Sequence, residues 1–175
     1  MALILAGYKR EALNLVINVF WTILCFLPIL WFWITEGIGT KFYFLLGFSF
    51  VPALLPEKIL NIFTLSPSRK FYEKIGVKQI RRFVQNGDVV NALTTKEKHA
   101  AIDNLSRAKQ YLKTISMYER FHWVCFIFFL LTAILCFYNK RLELGFMVTV
   151  ANLLFNVSSI LLQQYNKIRI RNLAG

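Results

Sequence analysis

Glu119 and His122 are the two residues whose types and spacing come nearest to a catalytic arrangement in this sequence. Residues three apart in an α-helix lie on one face, so the carboxylate is expected to orient the imidazole. Such a pair can deprotonate a hydroxyl for attack on an acyl group, because His titrates near neutral pH and a carboxylate stabilises its cation. An alternative is an ordinary anchor, since His122 and the adjacent Trp123 would also suit the edge of a bilayer.

A stripe of polar side chains runs along the last apolar segment of the chain. At about 100° per residue, its members fall within roughly 80° of one another on a helix. An unpaired amide in hydrocarbon is costly, so the stripe should face other helices or a wet cavity. It is either hydrogen-bonding glue between helices or the wall of a substrate site. Its members are Asn152, Asn156, Ser159, Gln163 and Asn166.

The segment 163–171 continues that stripe with further donors and cations, in the leaflet where His122 is expected. It could grip an anionic group of a substrate. A cluster of positive charge at the membrane edge explains the cations but not the amides and the tyrosine. The sequence therefore predicts a site with His122 and Glu119 as catalytic residues and a larger set for substrate binding. The predicted substrate-binding residues are Asn152, Asn156, Gln163, Tyr165, Asn166, Lys167 and Arg169.

Metal and cofactor chemistry find little support in the sequence. Cys25, Cys125 and Cys136 lie in apolar stretches without the spacing that zinc or redox sites require. His99 is the only other histidine and stands in a polar stretch without ligand-like neighbours. No metal site and no cofactor is therefore predicted.

Several of these residues belong to a pattern that resembles a known family. The order and spacing between about residues 70 and 173 are similar to the glycosyl-4,4'-diaponeurosporenoate acyltransferase family. The segments that carry the resemblance are Tyr72-Glu73-Lys74, Val77-Lys78, Arg81, Glu119-x-x-His122-Trp123, Asn152-Leu153 and Gln163-x-Tyr165-Asn166-Lys167-x-Arg169. The chain departs from the family pattern where Gln164, Lys167 and Ile168 replace Arg, Arg and Pro, and where Gln79-Ile80 replaces a Lys-Trp pair.

The resemblance implies an enzyme that esterifies a fatty acyl group onto the sugar of a glycosylated carotenoid. It implies that Glu119, His122, Asn152 and the segment 165–169 share one site. Its partners would be membrane lipid and an acyl donor on a thioester carrier, in the bacterial cytoplasmic (inner) membrane. The competing class is a non-catalytic subunit of a larger membrane complex, whose polar stripe and basic helix would contact protein partners.

The elements that must position these residues are membrane helices. Hydrophobic residues make up 57% of the chain, well above the 45–50% of soluble domains. The sequence predicts an all-α integral membrane protein with about four spans, because runs near 20 apolar residues suffice to cross hydrocarbon. The predicted spans are 13–34, 42–55 with a continuation over 59–65, 121–138 and 144–162. Pro52 and Pro56 predict that the second span either kinks or ends in an interfacial helix.

The basic residues predict the orientation of these spans. Residues 66–120 hold twelve of the 21 Lys and Arg, whereas the short links near Lys41 and Lys140-Arg141 hold three. The positive-inside rule then places 66–120 and both termini in the cytoplasm. The net charge of +12 suits a membrane surface better than nucleic acid, because long apolar runs interrupt the basic residues.

Three units follow from this organisation: an N-terminal membrane hairpin over 1–65, a cytoplasmic helical segment over 66–120 and a C-terminal membrane hairpin over 121–175. Within the middle unit, apolar residues at helical spacing alternate with cations over 71–84, which predicts a basic amphipathic helix on the membrane surface. Asn86-Gly87-Asp88 is a stop signal. A second helix over about 96–120 is predicted to continue into the third span.

Overall fold

The structure, a computed structural model, describes residues 2–84 and 105–174, and the side chains of 8–84 and 110–172. Those residues form helices and connecting turns without a strand. The predicted stop at Asn86-Gly87-Asp88 and the beginning of the helix predicted over 96–120 lie outside this range. The helices are α1 (Ala2–Glu36), α2 (Thr40–Ser49), α3 (Val51–Leu54), α4 (Glu57–Leu60), α5 (Arg69–Lys74), α6 (Val77–Arg82), α7 (Leu105–Tyr138), α8 (Leu142–Asn152) and α9 (Ser158–Ala174).

Within the described residues, three helical stretches are long and apolar enough to cross a membrane: Tyr8–Glu36, Gln110–Tyr138 and Leu142–Asn172. A fourth crossing is present if Thr40–Leu54 and Glu57–Phe63, which bend by 99° at their junction, count as one span. The predicted fold class, an all-α membrane protein of about four spans, is therefore confirmed. The last of these stretches is longer than predicted, because α8 continues through a π-helical turn, Leu153–Val157, into α9.

The bend in the second segment lies where the two prolines predict it. Pro52 stands in the first turn of α3, and Pro56 precedes α4. Neither proline can donate a backbone hydrogen bond, so the helix is interrupted twice within a few residues. Arg120 then donates through Nη1 to the carbonyl oxygens of Ala53 and Leu55, at 3.1 and 2.5 Å. The guanidinium thus satisfies carbonyls that the broken helix leaves without a partner.

The hairpin between α7 and α8 is closed by the predicted link. Lys140 has a φ of 59°, the left-handed conformation that reverses the chain direction. Asn139 Nδ2 donates to Glu36 Oε1 at 3.1 Å, and Arg141 lies 3.9 Å from the same carboxylate. The end of α1 is therefore fastened to this turn. In the interior, Trp33 Nε1 donates to Thr132 Oγ1 at 3.3 Å and joins α1 to α7.

The amphipathic helix predicted over 71–84 is wrong in two respects. Gly76, with a φ of 90°, divides it into α5 and α6, because that conformation is outside a right-handed helix. Part of its apolar face, Val77, Ile80 and Val84, also packs on protein, whereas Phe71 and Ile75 are exposed. Tyr72 and Val77 are fully buried in a cluster with Leu162, Tyr165 and Ile168, the last three from α9. The α5–α6 pair thus covers the C-terminal half of α9.

Candidate active site

A buried ion pair joins α7 to α9. Lys167 Nζ lies 2.6 Å from Glu119 Oε2, and the two side chains are only 6% and 3% exposed. Gln164 Nε2, one turn earlier on α9, donates to Glu119 Oε1 at 3.2 Å. Both carboxylate oxygens therefore have partners from α9, as a buried charge requires.

Gln164 extends this pair to the bent segment and to α5. Its Nε2 also donates to the carbonyl of Phe63 at 3.1 Å. Its Oε1 accepts from the hydroxyl of Tyr72 at 3.0 Å and from the backbone N–H of Leu65 at 3.3 Å. Burial raises the pKa of the Tyr72 hydroxyl, which keeps it protonated as a donor. Both N–H donors and both acceptor positions of the Gln164 amide are therefore hydrogen-bonded. The side chain connects α9 with α7, with α5 and with the segment 63–65.

Glu57 connects the buried pair with the surface. Its Oε1 lies 3.8 Å from Lys167 Nζ and accepts a hydrogen bond from Ser116 Oγ at 3.0 Å. The Glu57 side chain is 52% exposed, in contrast to that of Glu119. Lys167 is therefore neutralised mainly by Glu119, with Glu57 as a second, solvated carboxylate.

His122 belongs to a separate chain of hydrogen bonds. Asn152 Nδ2 donates to the backbone carbonyl of Phe126 at 3.1 Å, Asn156 Nδ2 donates to Asn152 Oδ1 at 2.9 Å, and His122 Nδ1 lies 3.3 Å from Asn156 Oδ1. A carbonyl only accepts, so it fixes the orientation of the first amide, and each amide fixes the next. Asn156 consequently presents an acceptor to the imidazole. This network assigns the proton of neutral His122 to Nδ1 and leaves the lone pair on Nε2.

The π-helical turn Leu153–Val157 explains which residues of α9 face this interior. A π turn accommodates one more residue than an α turn, so positions beyond it are displaced by one residue. The predicted stripe keeps its first two members, Asn152 and Asn156, which are 4% and 0% exposed. Beyond the turn, Gln164 and Lys167 are buried at 1% and 5%. Gln163 and Asn166, for which α-helical spacing predicted the inward face, are only half-buried.

The structure does not bring together all of the residues that the sequence grouped. Glu119 contacts Lys167 and Gln164, whereas His122 contacts Asn156, so the carboxylate is not placed to orient the imidazole. Lys167 is also buried in its ion pair and is not a surface cation. These contacts change the expected role of Glu119 from orienting a base to holding α9 against α7.

Tyr165 and Arg169, the remaining predicted residues, lie on a different face of α9. Tyr165 is 2% exposed and its hydroxyl donates to Glu73 Oε1 at 3.3 Å. Arg169 and Tyr165 both line a cleft between α9 and the α5–α6 pair. The predicted substrate-binding set is thus divided between the His122 chain, the Glu119 pair and this cleft, and Gln163 and Asn166 belong to none of the three.

Sequence reasoning missed Gln164 and Tyr72 as members of the site. In the sequence, Gln164 is noted only as a departure from the family pattern, and Tyr72 only as part of the resemblance. Neither is predicted as a site residue. The residue types offered one signal. Gln164 and Lys167 lie one turn apart in an apolar helix, and an amide next to a lysine is suited to bind a buried carboxylate. Without the displacement at the π turn, however, Gln164 falls beside the stripe and not on it.

One comparison with known proteins gives a match. A family model described as glycosyl-4,4'-diaponeurosporenoate acyltransferase matches residues 56–175, more than half of the chain. The matched region begins at Pro56 and includes Glu119, Gln164, Lys167 and the whole His122 chain. No curated protein and no solved structure is significantly similar to the chain.

Proposed function

The chain belongs to the glycosyl-4,4'-diaponeurosporenoate acyltransferase family, and on that premise we propose that it moves a fatty acyl group from a thioester donor onto a hydroxyl of a lipid-linked acceptor. The family membership supports an acyltransferase-like function, and the apolar helices support insertion in a membrane. A glycosylated acceptor follows from the family description. The proposed site of transfer is His122 at the membrane interface on the cytoplasmic side.

The observation that carries this proposal is the hydrogen bond between His122 Nδ1 and Asn156 Oδ1. Because the amide network holds the proton on Nδ1, Nε2 is the basic nitrogen of the ring. The ring is also held by neighbouring aromatics, with the centroid of Phe155 at 5.3 Å and that of Phe121 at 5.2 Å. An imidazole with a fixed tautomer and a fixed orientation meets two requirements of a general base.

In the proposed step, His122 Nε2 accepts the proton of the acceptor hydroxyl as its oxygen attacks the thioester carbonyl carbon. The new C–O bond gives a tetrahedral intermediate. Collapse of that intermediate breaks the C–S bond, and the imidazolium returns the proton to the leaving sulfur. Atoms and charge balance without a metal or a redox partner, and a positioned base of this kind contributes about 10² to 10⁴ in rate.

Asn152 and Asn156 support the base from behind in this mechanism. They lie at the π turn, and interruptions of this kind in helices often accompany functional sites. The amides of Gln163 and Asn166, half-buried farther along α9, are proposed to contact the polar part of the acceptor. Glu119 and Lys167 hold α7 and α9 in register, so that the segments carrying His122 and Asn156 stay in contact.

Complementation of a deletion strain tests the proposal. Lipid and pigment extracts are compared for strains carrying the wild-type chain, His122→Ala or His122→Gln. Gln retains a donor for Asn156 but has no basic nitrogen, so both variants are expected to lack the acylated product. His99→Ala, a change at the other histidine of the chain, serves as the control. A full product level in both His122 strains, at equal amounts of inserted protein, would favour a non-catalytic subunit.

A further inference from the structure

A basic cleft lies where α5, α6 and the C-terminal half of α9 meet. Its volume is about 500 Å³. Six described residues line it; four of them are cations and none of the six is acidic. A group of neighbouring cations with a concave surface favours an anionic ligand, because bound negative charge relieves their mutual repulsion. The lining residues are Arg69, Lys78, Arg81, Tyr165, Arg169 and Asn172.

The carboxylate of Glu73, behind this wall, positions two of its cations. Glu73 Oε1 lies 2.8 Å from Arg69 Nε, and Glu73 Oε2 lies 3.0 Å from Lys78 Nζ. Lys78 and Arg69 hold the pKa of the Glu73 carboxyl below its usual range, so it stays ionised as their anchor. Glu73 thus contacts two of the four cations, Arg69 and Lys78.

Tyr165 fixes the floor of the cleft. Its ring is buried, its hydroxyl donates to Glu73 Oε1 at 3.3 Å, and the Arg69 guanidinium lies 5.7 Å from the ring centroid. Arg69 therefore has both an ionic and an aromatic contact that limit its rotamers. A cation whose orientation is restrained loses less conformational entropy when a ligand binds.

The size of the cleft distinguishes between anions. A volume near 500 Å³ falls within the usual range of about 300–1,000 Å³ for small-molecule and cofactor sites. It exceeds what one inorganic phosphate fills. Several cations and an amide around such a volume suit a group with more than one phosphate or with an attached polar moiety.

The position of the cleft relates it to His122. Asn156, the partner of His122, and Arg169 are thirteen residues apart on the α9 side, about 20 Å at 1.5 Å per residue. A thioester donor whose phosphates are separated from its sulfur by a long pantetheine arm can span a distance of that order. The phosphates would then be held at the cleft while the acyl carbonyl reaches Nε2.

We propose that this cleft binds the phosphate-bearing end of the acyl donor, as in a coenzyme A thioester. The inference rests on the proposed function and adds three residues, Arg69, Lys78 and Arg81, to the donor site. Lys167, which the sequence predicts as a substrate-binding residue, is buried against Glu119 and does not line the cleft. Phosphate is also present in lipid headgroups, so the test separates these two sources.

The experiment measures coenzyme A binding by equilibrium dialysis to the whole chain in phosphatidylcholine nanodiscs. The cleft variant Lys78→Gln/Arg169→Gln is compared with Lys74→Gln/Arg171→Gln, which removes two exposed cations from the same region that do not line the cleft. Both variants lower the net charge equally. We expect the cleft variant to bind at least about tenfold more weakly and the control within about twofold of wild type, because hydrogen bonds to charged groups are the stronger ones.

Pantetheine, which lacks the phosphates, should not compete with coenzyme A for the wild-type chain. If the cleft double variant fails to insert, two single variants are compared instead: Arg169→Gln in the cleft and Arg171→Gln as its control. Equal weakening by cleft and control variants would overturn the proposal. The proposal would also be overturned if the cleft retained phosphatidylglycerol in nanodiscs and did not bind coenzyme A. The occupant would then be a lipid headgroup.

The outcomes also separate this inference from the proposed function. The wild-type chain could bind coenzyme A at the cleft and yet catalyse no acyl transfer. That result would contradict the proposed function and support the binding site. If the cleft variant transferred acyl groups with an unchanged KM for the donor, the binding site would be contradicted. The proposed function would still stand.

Discussion

Lys167 Nζ and Glu119 Oε2 lie 2.6 Å apart between α9 and α7, with both side chains almost completely buried. A buried pair of this kind gains little net stability over an apolar pair, but loss of one partner leaves an uncompensated charge. Glu57, at 3.8 Å and half exposed, would compensate Lys167 only in part. The pair therefore acts as a specific connection between the two helices that carry the proposed site.

This relationship predicts that Glu119→Gln is a stability variant. It should lose about 3–5 kcal/mol, because Lys167 remains as a buried cation. The double variant Glu119→Leu/Lys167→Met should recover most of that loss. Thermal unfolding of purified protein in detergent measures both changes, and Glu143→Gln, an exposed carboxylate, is the control with little effect.

Acyl transfer per folded molecule separates the structural role of Glu119 from a catalytic one. Glu119→Gln should keep near wild-type transfer after correction for the amount of folded protein. Unchanged stability together with a large loss of transfer would instead support the expectation that Glu119 orients His122.

The π turn makes a second prediction, about neighbouring positions on α9. In a background without native cysteines, Gln164→Cys should be protected from a small thiol reagent, whereas Gln163→Cys should react. The reason is that Gln164 is 1% exposed and Gln163 half-buried. The opposite pattern would mean that α-helical spacing continues through 153–157. Labelling is read by mass spectrometry in intact membranes.

Much of the fold could be predicted from the sequence, because lipid constrains it strongly. Long apolar runs identify the spans, and the link at Lys140 identifies the hairpin, since backbone groups in hydrocarbon must be satisfied within helices. The prolines identified the bend in the second segment. Gly76 could have indicated the break between α5 and α6. The apolar periodicity of 71–84 instead predicts one continuous helix.

The arrangement of the site was harder to predict, because one extra residue in a turn displaces everything beyond it. The residues in 153–157 include neither Gly nor Pro, and nothing in their types indicates a π turn. α-Helical spacing therefore selected Gln163 and Asn166, and the structure buries Gln164 and Lys167. The partners of Glu119 likewise depend on how α7 and α9 pack, which local spacing does not determine.

The third prediction concerns the support that Asn156 gives to His122. Asn156→Leu removes the acceptor that fixes the imidazole tautomer, so transfer should fall by at least about tenfold, comparable to losses from removing supporting hydrogen bonds. Leu154→Ala, at a side chain 52% exposed in the same turn, should be mild. The ¹⁵N chemical shifts of His122 should show Nδ1 protonated in wild type and a mixture in Asn156→Leu. Equal transfer by both variants would remove Asn156 from the mechanism.

The fourth prediction is the orientation in the membrane. From the excess of Lys and Arg in 66–120, we expect that segment and both termini to lie in the cytoplasm. A reporter that is active only outside the cytoplasm should be inactive when fused at position 87 and active when fused in the link 139–141. Activity at position 87 would invert the arrangement and place His122 at the opposite face.

The central claim is that His122 is the general base of acyl transfer, and direct assay of its variants tests that claim. Membranes carrying wild type, His122→Ala or His122→Gln are given a hydroxylated lipid acceptor and an acyl thioester, and product is normalised to inserted protein. We expect both variants to lose about 10² to 10⁴ in rate, because neither offers a basic nitrogen. Wild-type turnover in the His122→Ala and His122→Gln membranes would contradict the account.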